Sequence, residues 1–172
     1  MIADFNKDLD YSHEQSDQPF WRVIYQQAFP DMVSMVDVRK DGWAQRGGID
    51  RIITTMSGRV WKIDEKARRN VYNDILLEFI SNDKTQALGW VAKDLACDFI
   101  AYAQVPAKRC YLLPVVPLQR AWHKHGESWR QKYGQIAAEN VNYKTWNCPV
   151  PITELMHKIA QAMYFTWNTP TK

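Results

Sequence analysis

The stretch GGIDRIITTMSGRVWKIDEK, from Gly47 to Lys66, restricts the fold more than any other part of the chain. Two runs of alternating residues flank a turn at Met56-Ser57-Gly58-Arg59, and this pattern predicts a β-hairpin. In the first run Ile49, Arg51 and Ile53 point one way while Asp50, Ile52 and Thr54 point the other. In the second, Val60, Lys62, Asp64 and Lys66 share a face, and Trp61, Ile63 and Glu65 share the opposite one. Each apolar run thus carries an aspartate, and Lys66 projects beside Asp64. Charges aimed toward a sheet interior are costly unless a ligand uses them. The hairpin is therefore the expected functional centre.

Hydrolysis of a phosphodiester needs neutralisation of the non-bridging oxygens, a nucleophilic water and help for the departing oxygen. Asp50 and Asp64, on adjacent antiparallel strands, can hold a hard cation such as Mg²⁺, or Mn²⁺ in its place, through oxygen ligands. The carbonyl of Glu65 can add a further ligand. Lys66 can orient the attacking water and offset the growing negative charge. The competing reading makes Asp50 a strand-end partner of Arg51 or Arg68, and Asp64–Lys66 an exposed ion pair, which stabilises little.

Asp50, thirteen intervening residues and then Asp64-Glu65-Lys66 resemble the Asp…(Asp/Glu)-x-Lys pattern of the PD-(D/E)XK nuclease superfamily. Ile49 stands where the family name has proline. The resemblance spans about Ser16 to Tyr133 and is to the small phage and prophage members. It implies an α/β, restriction endonuclease-like fold with a mixed central sheet flanked by helices. It also implies a Mg²⁺-dependent deoxyribonuclease, with Asp50 and Asp64 as metal ligands and Lys66 as the catalytic lysine. Some members add a glutamate from the first helix, for which Glu14 is the nearest candidate. Many pair up to cut both strands, although no heptad or exposed apolar stripe here demonstrates a homodimer. The alternatives are a nucleic acid binding module that does not cut, and a structural or regulatory phage protein.

The remaining chain frames this centre. Its 172 residues fit one domain, 1–172, with residues 1–16 as a polar lead-in. A helix is expected from Ser16-Asp17-Gln18-Pro19 to near Pro30, with Phe20, Val23, Ile24 and Ala28 on its buried face and a capping side chain at its start. A short strand from Met32 to Val38, a turn at Arg39–Gly42 and a flexible approach at Trp43–Gly48 lead into the hairpin. Asp74–Ile80 reads as a third strand and Cys97–Ala103 as a fourth, the latter ambiguous with a helix. Cys110–Val116 is a fifth. Pro117 opens a helix with Leu118, Trp122, His125, Trp129 and Tyr133 on one stripe. A strand at Tyr143–Val150 precedes a last helix from Pro151, buried through Ile152, Leu155, Met156, Ile159 and Met163.

Lys and Arg number 22 against 19 Asp and Glu, a balance that permits nucleic acid binding without arguing for it. The polar, acidic start and the lack of an apolar run near ~18 residues lead to the expectation of a cytoplasmic chain, in a bacterium or a phage-infected cell, with no membrane partner. Cys97, Cys110 and Cys148 are far apart, as buried free thiols are. Gln45 and Arg46 before the glycine pair are candidates for phosphate contact, and Arg68 and Arg69 for the nucleic acid backbone. Glu78 is a secondary candidate in the third strand. His123 and His125, two apart on a helix, point to different sides, and Trp43 and Trp90 are candidates for base stacking or packing.

Overall fold

The computed structural model describes residues 3, 4, 11, 15 and 17–168. In chain order its elements are β1 (Ala3–Asp4), α1 (Phe20–Ala28), β2 (Met32–Asp37), α2 (Gly42–Arg46), β3 (Arg51–Thr55), β4 (Val60–Arg68), β5 (Asp74–Asn82) and β6 (Ala87–Leu88). There follow β7 (Phe99–Gln104), a 3₁₀ turn (Val105–Ala107), β8 (Arg109–Pro114), α3 (Val115–Tyr133), β9 (Ile136–Glu139), β10 (Lys144–Pro151), α4 (Ile152–Lys158) and β11 (Met163–Thr166). The architecture is mixed α/β with a mixed central sheet. No helix among the described residues is long and apolar enough to cross a membrane.

The backbone divides into two compact units, one containing 11–71, 96–115 and the chain from 161, the other 72–95 and 116–160 together with β1. The first is built on a sheet of order β11-β8-β7-β4-β3-β2, in which β4 and β7 are parallel and every other pair is antiparallel. Helix α1 covers one face of this sheet. Phe20, Trp21, Ile24 and Tyr25 are its buried stripe, packed with Ile53, Ile63, Phe99, Ala101, Cys110, Leu112 and Trp167. Ala28 packs against this core as expected, whereas Val23, expected on the same stripe, is exposed, because Trp21 and Tyr25 bury more apolar area on the neighbouring side. Among the described residues no side-chain cap forms at the start of α1, and Ser16 lies outside them. Asp17 accepts from Arg39 at 2.6 Å, and Pro19, already helical in φ and ψ, starts the helix without a cap.

The approach to the hairpin is not a flexible stretch but the short helix α2, and Gly48 follows it at φ +67°, where a side chain would be strained. The hairpin itself has the expected strands, with Gly58 at φ +79° in its turn. Cys97–Ala103 resolves as the strand β7, beginning at Phe99. All three cysteines are buried free thiols.

The second unit has its own sheet, of order β1-β9-β10-β5-β6. The third expected strand, β5, therefore lies outside the hairpin's sheet and pairs with β10 and β6. Its apolar residues alternate in burial as a one-sided strand should, so its period was readable but its partner was not. On α3, Leu118 and Trp129 are buried, Trp122 stacks on Phe79 at 5.6 Å, and His125 lies against Trp129 at 5.5 Å. Gly126 sits where a Cβ would come within 2.9 Å of the Trp122 ring. Strand β9 was not expected from the sequence. The last helix is shorter than expected: α4 stops at Lys158, Gln161 takes φ +65°, and Met163 belongs to β11, paired with β8.

Candidate active site

Antiparallel register pairs Arg51 with Ile63 at the end of the β3–β4 ladder, which brings Asp50, the residue just before β3, next to Asp64. The Asp50 N–H donates to the carbonyl of Ile63, the register partner of Arg51, at 2.9 Å, so the strand is irregular at Asp50 and the Asp50 carboxyl reaches Asp64 from the strand end. Like charges brought together in this way repel. Asp64 is buried, at 5% exposure, with the Asp50 carboxyl within hydrogen-bonding reach. Lys66, two residues along the same face, donates from Nζ to Asp64 Oδ1 at 2.8 Å, and its side chain remains 34% exposed. Burial first, and the neighbouring Asp50 charge in addition, push the Asp64 carboxyl up to about 6 against the pull of Lys66. The three predicted groups thus converge on the sheet face opposite α1.

Glu65 is divided between the two faces. Its side chain turns away, as strand parity requires, and is buried under α1, accepting from Arg51 Nε and Nη2 at 3.0 Å each and from the Tyr25 hydroxyl at 2.7 Å. Burial raises this carboxyl, while Arg51 and Tyr25 pull it back. Its side chain is committed here and is no metal ligand. Its backbone faces the acid pair: the Glu65 N–H donates to Asp50 Oδ2 at 2.7 Å. Within a strand the N–H and C=O of one residue point to the same edge, so the Glu65 carbonyl lies on the Asp50 side too.

The other predicted residues are placed less centrally. Glu14 lies outside the described residues. Gln45 and Arg46 are exposed on α2. Arg68 donates to the Tyr102 hydroxyl at 3.2 Å and is half-buried, as is Arg69, whose Nε is buried. Glu78 belongs to β5 in the other unit. Trp43 is exposed at 56%, whereas Trp90 is packed at 7%. A cleft of about 450 Å³, lined in part by Trp122, His123 and Arg130, lies within the second unit and contains none of the predicted site residues.

Two features go beyond the sequence reading. Arg51 points away from Asp50, as strand parity predicts, and meets Glu65 in place of the Asp50 pairing that the competing reading offers. Cys97 stands beside Asp64, and its thiol is pushed up to about 12, chiefly by burial and further by the Asp64 charge. The segment is held there by the Ala96 N–H, which donates to the Gly47 carbonyl at 2.9 Å. Nothing local in the sequence signals that approach.

The donor set is oxygen-rich but sparse: among the described residues no group of three His, Cys, Asp or Glu side chains converges to hold a metal. Two carboxylates, a carbonyl and water suit Mg²⁺, which binds few protein ligands and keeps several waters. Comparison of the chain with family models, with curated proteins and with solved structures gives no match.

Proposed function

We propose that this chain is a metal-dependent phosphodiester hydrolase acting on DNA, with a restriction endonuclease-like fold of the PD-(D/E)XK type. One observation carries the reading. The carboxyls of Asp50 and Asp64 lie within reach of each other, with the Lys66 ammonium 2.8 Å from Asp64 and partly exposed.

The residues fit a divalent cation. Two carboxyls lie together, one of them buried, and the Lys66 ammonium contacts that buried one at 2.8 Å. Asp50 and Asp64 would bind the ion through carboxylate oxygens, with the Glu65 carbonyl as a third donor. A bound Mg²⁺ supplies charge neutralisation and Lewis acidity at the phosphate. The protein's own groups do the rest. Asp50 is oriented by the Glu65 N–H, and Asp64 by Lys66. The exposed end of Lys66 brings positive charge and N–H donors to the phosphate oxygens, where negative charge grows as the bond to the leaving oxygen breaks.

The test is a panel of labelled DNA and RNA incubated with Mg²⁺ or Mn²⁺, beside Asp64→Ala and Lys66→Ala. The expected result is cation-dependent cleavage of DNA that both substitutions abolish. Cleavage surviving both overturns the assigned site, and wild-type binding without cleavage favours a non-cutting nucleic acid binding module.

A further inference from the structure

The face of β4 under α1 holds a second charge cluster to which the reading above gives no role. Consecutive residues Asp50 and Arg51 both hold Glu65, the first through its backbone and the second through its side chain. Asp50 Oδ2 accepts the Glu65 N–H at 2.7 Å, while Arg51 Nε and Nη2 hold the Glu65 carboxylate at 3.0 Å. Tyr25, from α1, adds its hydroxyl to Glu65 Oε1 at 2.7 Å. The result is a closed ring of bonds around one residue, and that residue lies between Asp64 and Lys66 in the chain.

The consequence is geometric. Rotation of a strand about its axis at Glu65 swings Asp64 and Lys66 together, because their directions are set by the peptides on either side of Glu65. A buried side chain with three donors blocks that rotation. Its N–H simultaneously commits one oxygen of Asp50 and so aims the other. Stability alone does not call for ionised groups here, since apolar residues of similar volume commonly hold a core as well or better than a buried ion pair.

We infer that Tyr25, Arg51 and Glu65 are positioning residues that set the directions of Asp50, Asp64 and Lys66, an inference resting on the hydrolytic reading of those three. The network anchors the acid pair to helix α1 rather than leaving it to the hairpin alone.

The experiment replaces the network by apolar groups of similar size in the full chain, Tyr25→Phe with Arg51→Met and Glu65→Leu. Folding is followed by circular dichroism and melting, Mn²⁺ affinity by electron paramagnetic resonance with Asp64→Ala as the site control, and DNA cleavage by kcat and KM. The expected outcome is a folded protein that binds Mn²⁺ roughly 10–100-fold more weakly, with kcat lowered by a similar factor and KM for DNA unchanged. Wild-type Mn²⁺ affinity and kcat in a folded triple variant overturn the positioning role and leave the hydrolytic reading standing. A wild-type protein that neither binds Mn²⁺ nor cuts overturns both. Should the triple variant not fold, Tyr25→Phe alone decides by the same readouts: a smaller loss in both supports the inference, and no change in either overturns it.

Discussion

On one face of β4 the Glu65 carboxylate is met by the fork of Arg51 and the Tyr25 hydroxyl, whereas on the other face Asp64 meets Lys66 but also the like charge of Asp50. Both carboxylates are buried to a similar degree, at 6% and 5% exposure. Their balance differs. A buried acid with a bidentate arginine and a hydroxyl has the partners that burial demands. A buried acid with one lysine on one side and a second acid on the other is less well compensated, and folding alone gives little reason to place the second acid there. An acid pair of this kind is where a cation, and chemistry on an anionic substrate, gains most.

Four measurements break or sharpen this contrast. The largest effect is expected at the less compensated face, where Asp64→Ala or Lys66→Ala lowers DNA cleavage by about 10³-fold or more while the protein still melts cooperatively. Cleavage near the wild-type rate would place the chemistry elsewhere. The compensated face responds in stability instead. Glu65→Ala removes the bidentate partner of Arg51, leaving its longer ion pair with Asp37 at 3.7 Å, and is expected to cost about 3 kcal/mol in urea unfolding, whereas Asp64→Asn leaves stability equal or higher in the absence of metal. If the two substitutions have the same sign, the faces are not different in kind.

The pH response comes next. Asp64 titrates near 6 in the fold, above its ordinary value of 3.8. The folded state therefore holds the proton more tightly than the unfolded chain. This group's contribution to stability is complete below pH ~4 and is lost as pH rises through ~6, by roughly 3 kcal/mol. Metal-free protein should melt progressively lower across that window, and Asp64→Asn should flatten the curve; a wild-type curve already flat there contradicts the buried acid pair. The smallest effect is Tyr25→Phe, which removes one of the donors to Glu65 and is expected to destabilise by about 1–2 kcal/mol. A change of zero in calorimetry would mean that the hydroxyl contributes nothing to the balanced face.

Much of the hairpin was legible because its information is local. Alternation along β3 and β4 predicted that Asp64 and Lys66 share a face and that Glu65 turns away. Both are seen. The same alternation separates Arg51 from Asp50, and the structure sends it to Glu65. Helix α1 was legible with Phe20, Ile24 and Ala28 toward the core, but helical spacing allows two adjacent faces and only the sheet beneath it selected Trp21 and Tyr25 over Val23. Met163 read as a continuing helix because its apolar spacing fits, while the left-handed turn at Gln161 and pairing with β8 made it a strand.

By itself the sequence determined what alternation and turn chemistry can encode: a hairpin at Gly47–Lys66, two aspartates and a lysine on it, and the sides to which they point. Tertiary structure decided which strands lie beside it, namely β7 parallel to β4 while β5 went to another sheet, and which distant groups approach, Tyr25 from the helix and Cys97 from the loop before β7. Period and parity are properties of a few consecutive residues. Strand partners, burial and the charge balance at Asp64 depend on segments tens of residues apart, and only packing brings those together.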